Sequence, residues 1–183
     1  MKRADLQSNL AMTVTLIMGA MLFTTLFMGY AIYRSASTYW PPMGFAKVAL
    51  GLPTFSTFLI LVSSLFCYLA RVATQVRKVE KARLYLHLTL ILGLAFMLTQ
   101  GFLWSHLKAT GVYVSSGIFA SILYGFTWIH AAHVILGLGT LLYLEIVLKN
   151  TSDSTIRKVI NVEKFWHFLG IIWLIMYFTI FVL

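Results

Sequence analysis

The sequence predicts an all-α, integral membrane bundle of five transmembrane helices. Three observations carry this reading: an apolar composition, five apolar runs of spanning length, and basic residues gathered between the runs. Of the 183 residues, 60% are hydrophobic and 10% charged, with a mean hydropathy of +0.88. A soluble domain is about 45–50% apolar and about 25% charged. A soluble fold of this length has too high a surface-to-volume ratio to hide the excess from water. A bilayer accepts it. The length suits a single membrane domain covering residues 1–183.

The runs cover residues 10–33, 54–74, 84–107, 118–148 and 165–183. Each approaches or exceeds the roughly 20 residues needed to cross about 30 Å of hydrocarbon. All five read as helices, because a backbone exposed to lipid must satisfy its hydrogen bonds internally. Glycines within them (Gly19, Gly29, Gly93, Gly137, Gly139 and Gly170) allow neighbouring helices to approach closely. The fourth run exceeds the bilayer thickness, which predicts a tilt or a protruding end. The first is long enough to span and no small-residue cleavage site follows it, so it reads as a retained helix rather than a signal peptide.

The connections differ in character. The first holds Trp40-Pro41-Pro42 and Gly51-Leu52-Pro53, which predicts a structured, non-helical turn region at the interface. The second, residues 75–83, is basic. The fourth, residues 150–164, is polar, and its Thr151-Ser152-Asp153-Ser154 stretch suits the start of a short helical turn. Basic residues set the orientation. Lys2, Arg3, Arg71, Arg77, Lys78, Lys81, Arg83, Lys149, Arg157, Lys158 and Lys164 lie on one side, against Arg34, Lys47 and Lys108 on the other. Eleven against three predicts a cytoplasmic N-terminus and an outer C-terminus. Tyr39, Trp40 and Trp104 then fall near the outer interface.

The net charge of +9 is distributed as a topology signal, which argues against nucleic acid as a partner. Cys67 is the sole cysteine. It can build neither an intrachain disulfide nor a cysteine-only metal site, and it reads as a small buried hydrophobe. The five acids (Asp5, Glu80, Glu145, Asp153 and Glu163) all fall outside the predicted spans or at their ends. A proton pump, ion-coupled transporter or intramembrane protease needs an ionisable group within the membrane. This chain alone is therefore expected to move no ion.

Histidine is the remaining candidate for chemistry. His130 and His133, with Gly137 and Thr140, share one face of the fourth helix. Three residues of rise separate the two histidines by only about 4.5 Å, so both cannot serve as axial ligands of stacked haems. One of them could serve a single haem, which would make the chain a stand-alone membrane b-type cytochrome. No carboxylate lies nearby to complete a non-haem metal site. His133 and His167 differ in predicted depth by roughly 20 Å. His106 is placed near the outer side and His87 near the basic loop. The expected role of His130, His133 and His167 is hydrogen bonding between helices. Thr57, Ser63 and Ser64 on the second helix carry the same expectation, with Ser56 and Gln100 beside them. Arg71, Arg77, Lys78 and Arg83 are candidates for anionic lipid headgroups. A small solute transporter is disfavoured, since neither internal repeats nor broken helices are evident.

The motifs resemble subunit III of the haem-copper respiratory oxidases in its short five-helix form, over about residues 10–183. Leu52-Pro53 with Thr57 and Ser63-Ser64 is similar to that family's second-helix pattern. His130-Ala131-Ala132-His133-Val134 and Gly137 resemble its His-Gly-x-His-Val signature. Phe165-Trp166-His167-Phe168 and the later Trp173 resemble its Trp-His-Phe motif, and Arg34 and Trp40-Pro41-Pro42 also fit. Three family carboxylates are missing. The first-helix Ser–carboxylate pair reads Met18-Gly19, the third-helix acid before an aromatic reads Leu103 before Trp104, and the acid after Trp-His-Phe reads Gly170.

The resemblance implies a non-catalytic subunit of a bacterial aerobic terminal oxidase, oxidising cytochrome c or quinol. The complex would reduce oxygen and translocate protons, with no active site, haem, copper or other metal in this chain. The implied partners are subunit I by direct contact, subunit II, and a small subunit IV or other respiratory complexes. The implied cofactor is structural phospholipid, and the implied location is the bacterial cytoplasmic membrane.

Overall fold

The computed structural model describes residues 3–38, 50–148 and 152–182. The sequence readings at Lys2, Tyr39, Trp40-Pro41-Pro42, Lys47 and residues 149–151 lie outside the described residues. Five helices are long and apolar enough to span a membrane: α1 (Arg3–Ala36), α2 (Gly51–Gln75), α3 (Val79–Ala109), α4 (Ile118–Val147) and α5 (Asp153–Met176). π-helical turns at Tyr177–Val182 prolong α5. No strand occurs among the described residues. The chain is a multi-pass membrane protein with the predicted all-α architecture.

Two boundaries differ from the sequence reading. Gly51-Leu52-Pro53, expected in a turn, forms the first turn of α2. Proline is tolerated there because a first-turn N–H has no intrahelical acceptor anyway. The larger difference lies in the connection at 150–164, of which Asp153–Lys164 is the first half of α5. Ser152 caps this helix, its hydroxyl accepting from Thr155 N–H at 3.3 Å, and Asp153 in the first turn complements the helix dipole. Hydropathy misses the segment because it is polar on one side, while its other side is buried through Val159, Val162 and Phe165.

The α2–α3 junction is correspondingly short. Lys78 N–H bonds Ala73 C=O and Arg77 N–H bonds Thr74 C=O, a Schellman closure. It places Arg77 at φ 57°, a left-handed conformation usually given to glycine. α3 ends in the same bond pattern, with Gly111 at φ 81° in the equivalent place.

α2 packs against α3 and α5, and α4 packs against the same two helices, so α2–α5 form the central bundle. α1 lies on its flank against α5. It is held there by the Tyr30 hydroxyl donating to Thr179 C=O, and by Asn161 Nδ2 donating to Ser8 Oγ at 3.1 Å. Thr179 C=O is among the last four carbonyls of its helix, which lack intrahelical donors, so Tyr30 satisfies it.

Candidate functional site

The centre of the bundle is Trp166 on α5, which is fully buried. A Cβ added to Gly93 on α3 would stand 2.8 Å from Trp166 Cη2, and one added to Gly137 on α4 would stand 3.0 Å from its Cζ3. The indole is thus seated where both helices present bare backbone. Its N–H donates to Ser63 Oγ on α2 at 3.1 Å, and Ser63 in turn donates to Thr89 C=O on α3 at 3.0 Å. One side chain therefore sets the register of four helices. In lipid, where apolar surface gains nothing by leaving the solvent, such close packing and interhelical hydrogen bonds are what hold helices together.

Two turns along α5, Trp173 repeats the device. Its N–H donates to Thr57 Oγ1 on α2 at 2.9 Å, and Thr57 donates to Pro53 C=O at 2.8 Å. Phe96 meets its ring edge-on with centroids 5.0 Å apart. The third second-helix candidate, Ser64, marks where α2 and α5 approach, since a Cβ on Gly170 would lie 3.2 Å from Ser64 Oγ. Gly19 is close-packed too, with Phe168 Cε1 3.0 Å from where its Cβ would be. Leu103 is buried. Gly19, Leu103 and Gly170, where the resemblance implied carboxylates, are thus all closely packed positions.

The histidines do something other than the sequence suggests. The expectation was hydrogen bonding between helices. His133 Nδ1 pairs instead with Ile129 C=O of its own helix at 2.8 Å. His130 is buried, and neither ring nitrogen has a hydrogen-bond partner among the described residues. Phe23, Phe96 and Trp173 surround it at centroid distances of 6.1, 6.1 and 5.6 Å. A porphyrin on His130 would have to displace those rings. His133 has Phe23 against it at 5.4 Å. At the centre of the bundle the interhelical bonds come instead from Trp166 and Trp173, because their indole N–H groups on α5 reach hydroxyls of α2 while His130 on α4 is screened by aromatic rings.

Within one turn of α5 from Trp166 towards its start, the apolar interior gives way to charge. Glu163 accepts from Arg71 Nε at 2.8–2.9 Å, and His167 Nε2 lies 3.5 Å away, one turn along the same helix. The Glu163 side chain is 8% exposed and that of Arg71 26%. Sequence reading placed Glu163 outside the spans, because α5 was expected to begin after it. The pair lies inside the bundle end and joins α5 to α2. Arg71 also covers the Tyr68 ring at 4.8 Å. Of the four headgroup candidates, Arg71 is therefore engaged with Glu163 and Tyr68. Arg77 is exposed and 3.6 Å from Asp153, and Lys78 and Arg83 are exposed. His87 pairs with Glu145 of α4. Among the described residues, no group of three or more His, Cys, Asp or Glu could hold a metal ion.

Five spanning helices locked by buried indoles and closed at one end by ion pairs define a class of protein: a polytopic membrane protein held by interhelical packing. The family follows from comparison with known proteins. Residues 4–183 match the family model for cytochrome c oxidase subunit III, and the chain belongs to that family. It is 31% identical over 164 residues to the probable cytochrome c oxidase subunit 3 of Nocardia farcinica, covering 88% of this chain and 80% of that one. It is 25% identical over 173 residues to the cytochrome c oxidase subunit 3 of Synechocystis, covering 92% and 72%. The probable quinol oxidase subunit 3 of Staphylococcus haemolyticus is 26% identical over 164 residues, covering 88% and 82%. The chain is thereby a subunit of an oxidase complex, with relatives named for both electron donors.

Proposed function

We propose that this chain is the non-catalytic subunit III of a bacterial aerobic terminal oxidase. It sits in the cytoplasmic membrane beside subunit I, with subunit II and a small subunit IV as further neighbours. Haem and copper belong to the partner subunits. The observation that carries the reading is the family match along residues 4–183. The bundle supports the scaffold role. Its interior is occupied by Trp166, Trp173 and the rings around His130, a rigid arrangement that can brace a neighbour through its outer faces. Phospholipid would fill the contact with subunit I, and the exposed Arg77, Lys78 and Arg83 would attract anionic headgroups near the membrane surface. By the positive-inside rule, the N-terminus and this basic junction face the cytoplasm.

Purification of the tagged native chain from gently solubilised membranes tests the proposal. A haem-copper subunit should elute with it in fixed ratio, together with the oxidase visible spectrum. Elution without any haem-copper subunit would defeat it.

A further inference from the structure

We infer that the α3–α4 interface holds an internal water site, with Gln100 and His130 as its protein ligands. Both side chains are buried, at 1% exposure each. Among the described residues, only these two buried side chains have both of their polar atoms without a hydrogen-bond partner. Polar atoms are costly to strand away from water, and buried ones almost always find a protein or water partner. The neighbouring hydroxyls obey that rule, since Thr99 and Thr127 donate to carbonyls of their own helices.

The two side chains stand in one layer. α3 and α4 run antiparallel, and two crossings fix their register. Trp104 Nε1 donates to Thr127 Oγ1 at 3.1 Å. Towards the other end, a Cβ on Gly93 would stand 2.8 Å from Leu138 Cδ2. Residues 93 and 104 are as far apart on α3 as 127 and 138 are on α4, so Gln100 falls opposite Ala131, next to His130. Phe96, one turn from Gln100 on the same face of α3, meets the His130 ring with centroids 6.1 Å apart. Gln100 is thereby flanked by two residues that reach the His130 face of α4.

The chemistry of the pair selects water. An amide offers two donors and a carbonyl oxygen, and a neutral imidazole offers one N–H and one lone pair. Water both donates and accepts, and a buried water commonly makes about three such bonds. The buried acid Glu163 lies ten residues along α5 from Trp173, which touches His130, a rise of about 15 Å. That leaves a neutral ligand rather than an ion. The same two helix faces supply a route. At the α3–α4 loop a cavity of about 640 Å³ is lined by Lys108, Tyr113, Ser121, Tyr124 and Trp128. From it, Lys108, Trp104 and Gln100 follow at four-residue intervals on α3, and Tyr124, Thr127 and His130 at three-residue intervals on α4. The Trp104–Thr127 bond closes the way between cavity and site. Seven residues further along each helix, at Gly93 and Gly137, Trp166 fills the interface. The site is thus the end of a hydrated inlet and not a channel. It rests on the bundle alone, not on a place in an oxidase.

The purified native complex is imaged by electron cryomicroscopy at a resolution that shows ordered waters elsewhere in it. Density is expected about 2.7–3.2 Å from both a Gln100 amide atom and a His130 ring nitrogen. A direct Gln100–His130 bond, or both side chains packed on aromatic faces with no density between them, would overturn the site. Solid-state NMR of the complex in liposomes, with isotope-labelled histidine nitrogens, gives a second readout. It follows polarisation passed from water protons to the His130 ring, whose signals are those lost in His130→Leu. The transfer should be present in the unaltered complex and fall severalfold in Gln100→Leu. Trp104→Phe, which unties Thr127 from α3, should speed replacement of that water by deuterated water severalfold. Undiminished transfer in Gln100→Leu would refute the bridge, and unchanged exchange in Trp104→Phe would refute the route. Should Gln100→Leu fail to assemble, the density in the unaltered complex still decides. Neither measurement asks which subunits accompany the chain, so failure here and failure of the oxidase reading can be told apart.

Discussion

α5 and α1 are both long, apolar and membrane-spanning, yet they stand in opposite relations to the bundle. Half of the most apolar 18-residue stretch of α5 is buried (50%), against 11% for α1, although the two have the same mean hydropathy of 2.0. α5 brings two indoles, a carboxylate and Gly170 to α2, and glycines of α3 and α4 receive Trp166. α1 attaches to α5 through Tyr30 at one end and Ser8 at the other, and between them Phe23 and Phe27 meet His130 and Phe126 of α4. The lesson is that hydropathy ranks affinity for lipid, while centrality depends on shape and on polar atoms that find partners. In a bilayer the solvent is as apolar as the core, so an apolar side chain is not by itself a reason to be inside.

The contrast can be broken most severely at Trp166. Trp166→Ala removes the shared contact of four helices, and a loss of about 3–5 kcal/mol is expected from a truncated buried tryptophan. It should be read as a lower melting temperature of the purified complex. Phe27→Ala on α1 should move melting far less. Equal effects would mean that α1 and α5 share the core evenly.

Next in size is Arg71→Ala. It leaves the carboxylate of Glu163 in a largely buried place, and removing one member of a buried pair costs about 3–5 kcal/mol. The partial exposure of Arg71 puts the expectation at the lower end. The double variant Arg71→Leu/Glu163→Leu should recover most of the loss, because no unpaired charge then remains. A double variant as unstable as Arg71→Ala would show that the pair itself, rather than the stranded acid, supplies the stability.

The smallest effect is expected at Tyr30→Phe. It removes one hydrogen bond between α1 and the end of α5, of a kind averaging about 0.6 kcal/mol in membrane bundles. Global melting should barely change, while protease access to the α1 end near Tyr33 should rise. A large fall in global melting would show that α1 is integral to the core.

Much of this arrangement is readable along the chain. Five apolar runs give five helices because a lipid-exposed backbone leaves no alternative. Thr57, Ser63, Trp166 and Trp173 stand out locally as polar or aromatic groups, and they meet in pairs at the α2–α5 contact. What escapes the sequence are facts about pairs far apart. Arg71 and Glu163 are 92 residues apart. The stretch at Ser152 and Asp153 marks a helix start, but nothing local says that this helix runs on unbroken into the span, or that its acid faces a guanidinium on α2. The histidines mislead for a related reason. An imidazole at helical spacing looks like a bonding group, but whether it finds a partner depends on which rings surround it.

Composition and the period of the apolar runs determined the membrane, the number of helices and their approximate limits, since these follow from each residue's own transfer between water and lipid. Tertiary structure alone decided which helix is central, which glycines are filled by an indole, and where the charges pair. Those are properties of surfaces meeting at van der Waals distance. A one-dimensional pattern specifies each face of a helix without saying what will stand opposite it.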